Sequence, residues 1–414
     1  MVIRNKSAKL KLTNFVKALD LDKASEIHIS NGIILPKEQS VKNDFTVVDC
    51  KDCIVAPGFI DTQLNGFEDC DFWNLPSFEK IDALRLRLAL SGVVAFCPTI
   101  ITAPKEKITQ SIDHINSYIK QSKNDIGAKI LGIHLEGIFI TKYGVHESKY
   151  VQKELTIKNL EPFIKENIVI FTLAPELDKT GEAIKFLQKN NILVSIGHSN
   201  ATYREGKTAI KKFGLDCVTH MFNSLKGIEG FSHRGNNPVN LKALELKLTD
   251  DNTIIPEQDG IILSLLKEKN VCCMVIADGL HVNKETIEFL YRLKGKEQFS
   301  LVTDMVSTEF FTLAKRQGTL GGGQTPLEKC VFNLVNWGIC NIEEALICAS
   351  RPIANKLRIA KDLGLSPLGL CPLGLCPLGL GELSFGKEAN ITLWDTNKNR
   401  VKGTIMGENI FLNY

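Results

Sequence analysis

From residue 93 onward the chain repeats one pattern: a short, nearly continuous apolar run, then a stretch with the period of an amphipathic helix. The apolar runs are "VVAFCPTII" (93–101), "KILGIHLE" (129–136), "IVIFTLAPE" (168–176), "ILVSIGHS" (192–199), "CVTHMFN" (217–223), "CCMVIAD" (272–278) and "FSLVTD" (299–304). Helix-like stretches such as "GEAIKFLQKN" (181–190) and "KETIEFLYRLKG" (284–295) lie between them. Strands that are apolar on both faces belong to parallel sheets covered by helices. Seven or eight such units in one run fit a closed barrel better than an open sheet.

The two ends read differently. Residues 1–56 ("SEIHISNGIIL", "FTVVDCKDCIV") and 382–414 ("ANITLWD", "GTIMGENIFL") are strand-like and turn-rich, so a small sheet domain assembled from both termini is expected to flank a barrel over 57–365. Between barrel and closing sheet lies "SPLGLCPLGLCPLGLG" (366–381), a near-perfect five-residue repeat. Proline at every fifth position removes a donor each time, which argues against helix and central strand. The segment is read as a surface loop lengthened by tandem duplication. The stretch "EEALICASRPIANKL" (343–357) reads as the last barrel helix.

Composition narrows the function classes. A formal net charge of +3 over 414 residues, with no basic block interleaved with aromatics, gives no support for nucleic-acid binding. No stretch approaches the roughly 20 apolar residues needed to cross a bilayer, and the basic N-terminus lacks the apolar core of a signal peptide. Twelve cysteines are scattered, several in apolar runs (Cys97, Cys217, Cys272, Cys273), and read as reduced core thiols in the cytoplasm. Cys50 and Cys53 form a lone CxxC without a second pair, which favours a turn over a metal or redox role.

Polar residues fall at one phase of the repeat. Glu136, His198, His220, Asp278 and Asp304 each end, or nearly end, an apolar run, and in a parallel barrel those ends share one rim. Of eight histidines, six lie at or just beyond run ends: His134, His146, His198, His220, His233 and His281. A lone strand histidine is more often a satisfied core residue; six on one rim reverse that expectation. Glu136, His198 and His220 give a carboxylate and two imidazoles from neighbouring strands, a pattern typical of catalytic zinc, with a fourth position left to water. Zinc suits these ligands best, and Fe(II) suits the same atoms. Such an ion polarises a carbonyl and lowers the pKa of water, and Asp304 can take the proton and return it to a leaving group. The residues point to metal-assisted hydrolysis.

Six motifs in order, "APGFIDTQLNG" (56–66), "HLEGIF" (134–139), "GHSNATY" (197–203), "THMFNSLKG" (219–227), "IADGLHV" (276–282) and "LVTD" (301–304), resemble those of the N-acetylglucosamine-6-phosphate deacetylases of the amidohydrolase superfamily. The resemblance runs from about residue 10 to the C-terminus and includes "FGKEANITLWD" (385–395) as the closing strand motif. It implies an α/β fold, a TIM-like (β/α)8 barrel with a small β-sandwich built from both termini. It also implies removal of acetate from N-acetylglucosamine 6-phosphate, with Glu136, His198 and His220 as ligands of a single divalent metal ion and Asp304 as general base and acid. By the same resemblance, His146 helps polarise the acetyl carbonyl. Asn223 and Ser224, through backbone amides, with Arg234 and His281, hold the phosphate, partly across a homodimer interface. Gln63 and Asn65 stand where other superfamily members place a histidine pair for a second metal; amides are poorer ligands, so one ion is expected.

The sequence departs from the family motifs at several points. Ile138 replaces a proline, "VHES" follows the loop glycine at 144, and "HRGNNPVN" carries two extra residues around Arg234, which makes Lys226 the reserve phosphate ligand. Fewer residues than relatives use for a β-hairpin separate Asp304 from "GTLGGG" (318–323), and those glycines read as a turn. Two other readings compete: a hydrolase of another N-acetylhexosamine phosphate or of a cyclic amide, and a non-catalytic interaction protein. The intact set of ligands and base speaks against the second.

Overall fold

The structure, a computed structural model, describes residues 2–4, 9–36, 45–122, 127–228, 241–316, 318, 320–362 and 379–413. Eight parallel strands form the barrel: Phe59–Leu64, Val93–Ile100, Ile133–Glu136, Ile168–Leu173, Leu193–Ile196, Cys217–Val218, Cys272–Val275 and Phe299–Leu301. Each pairs with its successor. Nearly every position in them is buried, as expected when helices cover the outer face and side chains fill the interior.

The seam between first and last strands closes just beyond their ends. Leu64 bridges Met305, and the N–H groups of Asn65 and Gly66 both donate to the Met305 carbonyl, at 2.8 and 3.0 Å. Deeper in the seam, the fully buried Asp61 accepts the Thr303 hydroxyl at 2.5 Å and the Thr303 N–H at 3.3 Å. A side chain thus supplies ladder bonds that the short last strand lacks.

Local signals fix the helices. Thr202 and Glu205 make a reciprocal capping box at the start of Tyr203–Lys211, and Asn283 caps Lys284–Lys294 through the Thr286 N–H. Glu182–Lys189 turns Ala183, Ile184 and Leu187 inward. The stretch read as one last helix is two, Ile342–Cys348 and Arg351–Asp362. Pro352 follows the break; its missing N–H and ring are tolerated only in a first helical turn.

Two further sheets flank the barrel, one built from both termini and one from the N-terminal segment alone. In the six-stranded sheet Cys53–Pro57 pairs antiparallel with Asn390–Asp395, which continues to Arg400–Met406 and Asn409–Leu412. The four-stranded sheet, led by Lys9–Thr13 and Ile27–Ser30, packs on it through a core that includes Leu10, Leu12, Ile29, Val55, Ile391, Leu393 and Ile405. Cys50 and Cys53 are buried thiols in that core, and burial pushes the Cys50 thiol up to about 12.

Residues 366–378 of the pentad repeat lie outside the described residues. At the end of the repeat the surface-loop reading fails. Leu380 is buried with Ile353, Ala354 and Leu357 under the barrel, and Arg351 Nε donates to the Gly381 carbonyl at 3.2 Å. A leucine there gains more by burial than exposure permits.

Candidate active site

The strand ends deliver five polar side chains to one cleft. Glu136 ends the third strand, His198 and His220 follow the fifth and sixth by two residues, Asp304 follows the eighth, and Asn65 follows the first. Three of these residues turn sharply: φ is +49° at His198, +31° at His220 and +50° at Asp304. Non-glycine residues rarely adopt that region, and such strain of about 1–3 kcal/mol each collects at functional sites.

The turns converge on one point. Glu136 Oε1 lies 3.2 Å from His198 Nε2 and 2.8 Å from His220 Nε2, and the two Nε2 atoms are 3.2 Å apart. Burial alone would raise the Glu136 carboxyl, but the two imidazoles override it and hold it well below the usual carboxylate range. His198 Nδ1 is 2.9 Å from the Lys142 carbonyl, which can only accept. The proton of a neutral His198 therefore sits on Nδ1, and its Nε2 lone pair faces Glu136 and His220. Two imidazole nitrogens and a carboxylate oxygen aimed at one another, with a ring oriented from behind by a carbonyl, is the donor set of a transition-metal site. The residues fit such an ion.

Glu136, His146 and His198 also offer ligand atoms within 4.8 Å of one another. His146, however, lies with its Nδ1 against Thr102, 2.8 Å from the hydroxyl and 3.4 Å from the backbone N–H. Burial, and then the neighbouring His198, lower its pKa to about 3, so it is neutral. Its ring stacks edge-on to His198 with centroids 4.3 Å apart. Thr102 Oγ1 in turn accepts the Ile138 N–H at 2.8 Å, a group that a proline at 138 would lack.

Asp304 Oδ1 accepts the Asn65 amide at 2.7 Å. Burial and the charge of Glu136 raise its pKa, against smaller opposing effects of His220 and Asn65. The glycines of 321–323 pack under it as a turn, with the Gly323 N–H donating to the Asp304 carbonyl at 2.7 Å. Where the sequence shortens the expected hairpin, a helix, Thr308–Arg316, brings Phe310 to the cleft. Phe310 meets Trp73 edge to face at 5.2 Å, and with Val145 and Leu320 they give the cleft its apolar lining.

On the other side of the cleft, His281 Nδ1 is 2.8 Å from Asp278 Oδ2, while Asp278 Oδ1 accepts the N–H groups of Leu280 and His281. His281 Nε2 is buried and has no partner among the described residues. Asn223 and Ser224 also line the cleft, but the Asn223 N–H is used within its own turn, on the His220 carbonyl at 2.9 Å. Lys226 does not reach the cleft: its ammonium is held by the Glu257 carbonyl at 3.0 Å. Arg234 and His233 lie outside the described residues.

One placement corrects the sequence reading. His134 is not on the rim; it is fully buried inside the barrel, with Nδ1 2.8 Å from the Thr62 carbonyl and Nε2 2.7 Å from the Thr172 hydroxyl. It heads a chain that continues through Thr219 to Ser195, at 2.7 Å per link. Gln63 is fully buried with neither end of its amide bonded among the described residues. Thr102, Phe310 and the Lys142 carbonyl went unnoticed in the sequence; of these Thr102 carried a signal, since it too follows a strand end.

No protein-family model matches the chain. It is 31% identical to the N-acetylglucosamine-6-phosphate deacetylase of Mus musculus over 371 residues, 82% of this chain and 84% of that protein. It is 30% identical to the enzyme of the same name from Caenorhabditis elegans, over 83% of this chain and 84% of that one. Solved deacetylases share the fold: that of Pasteurella multocida superposes with a TM-score of 0.74 at 24% identity, over 97% of this chain and 99% of that one. One from Mycobacterium smegmatis, in complex with N-acetyl-D-glucosamine-6-phosphate, superposes with a TM-score of 0.76 at 17% identity, over 98% of this chain and all of that one. With sequence identity at this level over four fifths of its length, and the same fold, the chain belongs to the N-acetylglucosamine-6-phosphate deacetylase family of hydrolases.

Proposed function

We propose that the chain hydrolyses the acetamide of N-acetylglucosamine 6-phosphate, giving acetate and glucosamine 6-phosphate. The observation that carries this is the convergence of Glu136, His198 and His220 beside Asp304 in one cleft. Those three side chains would hold one divalent transition ion, zinc by ligand type with Fe(II) suiting the same atoms, which supplies Lewis acidity and lowers the pKa of a water toward about 7. Asp304 takes the proton of the attacking water on Oδ2, since Oδ1 is engaged by Asn65, and returns it to the departing amine. An ion held by Glu136, His198 and His220 would offset the Glu136 charge, the second of the two causes that raise Asp304 after burial, and so favour its ionised, basic form. His146, neutral, donates to the acetyl oxygen.

Trp73, Val145 and Phe310, which line the cleft, would pack against the acetyl methyl and keep bulk water from it. His281, fixed by Asp278, donates to the phosphate together with the turn at Ser224, and Arg234 is the cation assigned to that anion. Gln63 and Asn65 offer amide groups, poorer ligands for a transition ion than an imidazole pair, so one ion per chain is expected. We place the enzyme in the cytoplasm as a homodimer; the buried free thiols at Cys97, Cys217, Cys272 and Cys273 suit a reducing compartment. Among the described residues no helix is long and apolar enough to cross a membrane.

The test is acetate release from a panel of N-acetylhexosamines, with and without the 6-phosphate and with both configurations at C4. Turnover should be fastest on phosphorylated N-acetylglucosamine. Equal rates with and without phosphate would reject the substrate assignment.

A further inference from the structure

We propose that Thr102 is a positioning residue that holds His146 in one tautomer, with its proton on Nε2. This rests on the reading of the cleft as a site of amide hydrolysis, in which that Nε2–H is the donor to the acyl oxygen. Thr102 lies just past the second barrel strand, 44 residues from His146 in sequence, and both are buried.

A neutral imidazole carries one proton, and the nitrogen without it accepts. Two tautomers suit the 2.8 Å contact between His146 Nδ1 and the Thr102 hydroxyl, because a hydroxyl can donate or accept. The backbone breaks the tie. The Thr102 N–H points at the same Nδ1 from 3.4 Å, and an amide hydrogen cannot be turned around. A proton on Nδ1 would set two hydrogens against each other; a lone pair there accepts from both the amide and the hydroxyl. The hydroxyl oxygen is meanwhile occupied by the Ile138 N–H at 2.8 Å, which leaves its hydrogen to Nδ1.

The packing is built for this contact. Gly137, at φ +98°, lies so close that a Cβ there would fall 2.3 Å from Thr102 Oγ1 and 2.8 Å from His146 Nδ1. Only glycine lets the hydroxyl and the ring meet. The consequence is chemical as well as geometric. With its proton on Nδ1, His146 would offer an Nε2 lone pair, and its closeness to Glu136 and His198 would make it a further metal ligand. With the proton on Nε2 it is a donor and cannot ligate. Thr102 therefore decides whether His146 binds metal or substrate.

The experiment combines ¹⁵N NMR of the histidine rings with steady-state kinetics on the zinc-loaded enzyme, comparing Thr102→Val, Thr102→Ser and His146→Gln. The His146 resonances are assigned by their loss in His146→Gln and read in both the zinc-loaded and the metal-free protein. The expected result is a single Nε2-protonated ring in wild type. In Thr102→Val only the long 3.4 Å amide contact remains on Nδ1, and we expect the Nε2-protonated form to lose ground to the other tautomer, kcat lower on the order of ten-fold, as for loss of one buried hydrogen bond, and KM within about two-fold. Thr102→Ser, which keeps the hydroxyl, should restore both signals. A wild-type ring protonated on Nδ1 would overturn the proposal, as would unchanged kcat and tautomer in Thr102→Val. A wild-type kcat in His146→Gln would instead reject the reading of the site, while the ring spectrum still decides the tautomer by itself.

Discussion

Asn65 Nδ2 donates to Asp304 Oδ1 across 2.7 Å, joining the residue after the first barrel strand to the residue that follows the last. This bond orients the carboxylate and leaves its other oxygen without a hydrogen bond among the described residues. Asp304→Asn keeps the shape but cannot take a proton. Turnover should fall about 10²–10⁴-fold, the usual worth of general acid–base catalysis, with metal content unchanged. Kinetics and elemental analysis on one preparation check this; turnover within a few-fold of wild type would send the proton elsewhere.

The four residues at the heart of the cleft were legible in sequence because each falls at the same phase of a repeated unit. That rule also explains the error at His134. His134 and Glu136 are two apart in one strand and share its inward face, so periodicity cannot tell the rim from the layer beneath it. The Thr102–His146 contact was invisible for another reason: its partners are 44 residues apart and meet only through loop geometry. Leu380 was hidden by repetition, since a string of identical pentads does not mark which leucine is buried.

His281 and Lys226 separate two views of phosphate recognition. The His281 ring is clamped by Asp278 with Nε2 toward the cleft, whereas the Lys226 ammonium is tied to the Glu257 carbonyl. His281→Asn should raise KM for the phosphorylated sugar at least ten-fold, the scale of a charge-assisted hydrogen bond. Lys226→Ala should change it less than about two-fold. The reverse order in a KM comparison would return the anion to Lys226.

Asp61 makes the seam pH-sensitive. Burial raises its pKa to about 6, against about 3.9 in an unfolded chain. Between those values the folded state binds a proton that the unfolded state does not, so this residue's contribution to stability rises as pH falls from about 6 to about 4. Above pH 6 the cost of the buried charge, on the order of 3 kcal/mol, is fully felt. Asp61→Asn removes the titration. Denaturant unfolding at pH 7.5 and 4.5 should show the wild type gaining relative to Asp61→Asn on acidification, and a constant difference would mean that Asp61 does not titrate in this range.

Leu380 is 4% exposed and Leu246 is 53% exposed. Leu380→Ala should cost about 2–5 kcal/mol through lost burial and the cavity left behind. Leu246→Ala should stay within about 0.5 kcal/mol. Unfolding midpoints of the two variants give the comparison. Equal midpoints would show that the end of the pentad repeat adds nothing to the fold.

Titration of metal-depleted protein with zinc, followed by acetate release from N-acetylglucosamine 6-phosphate, tests the assignment of Glu136, His198 and His220 most directly. Activity should rise linearly and level off at one ion per chain, and Glu136→Gln should neither retain the ion on gel filtration nor recover activity. Full activity in the metal-depleted protein, or a break at two ions per chain, would contradict it.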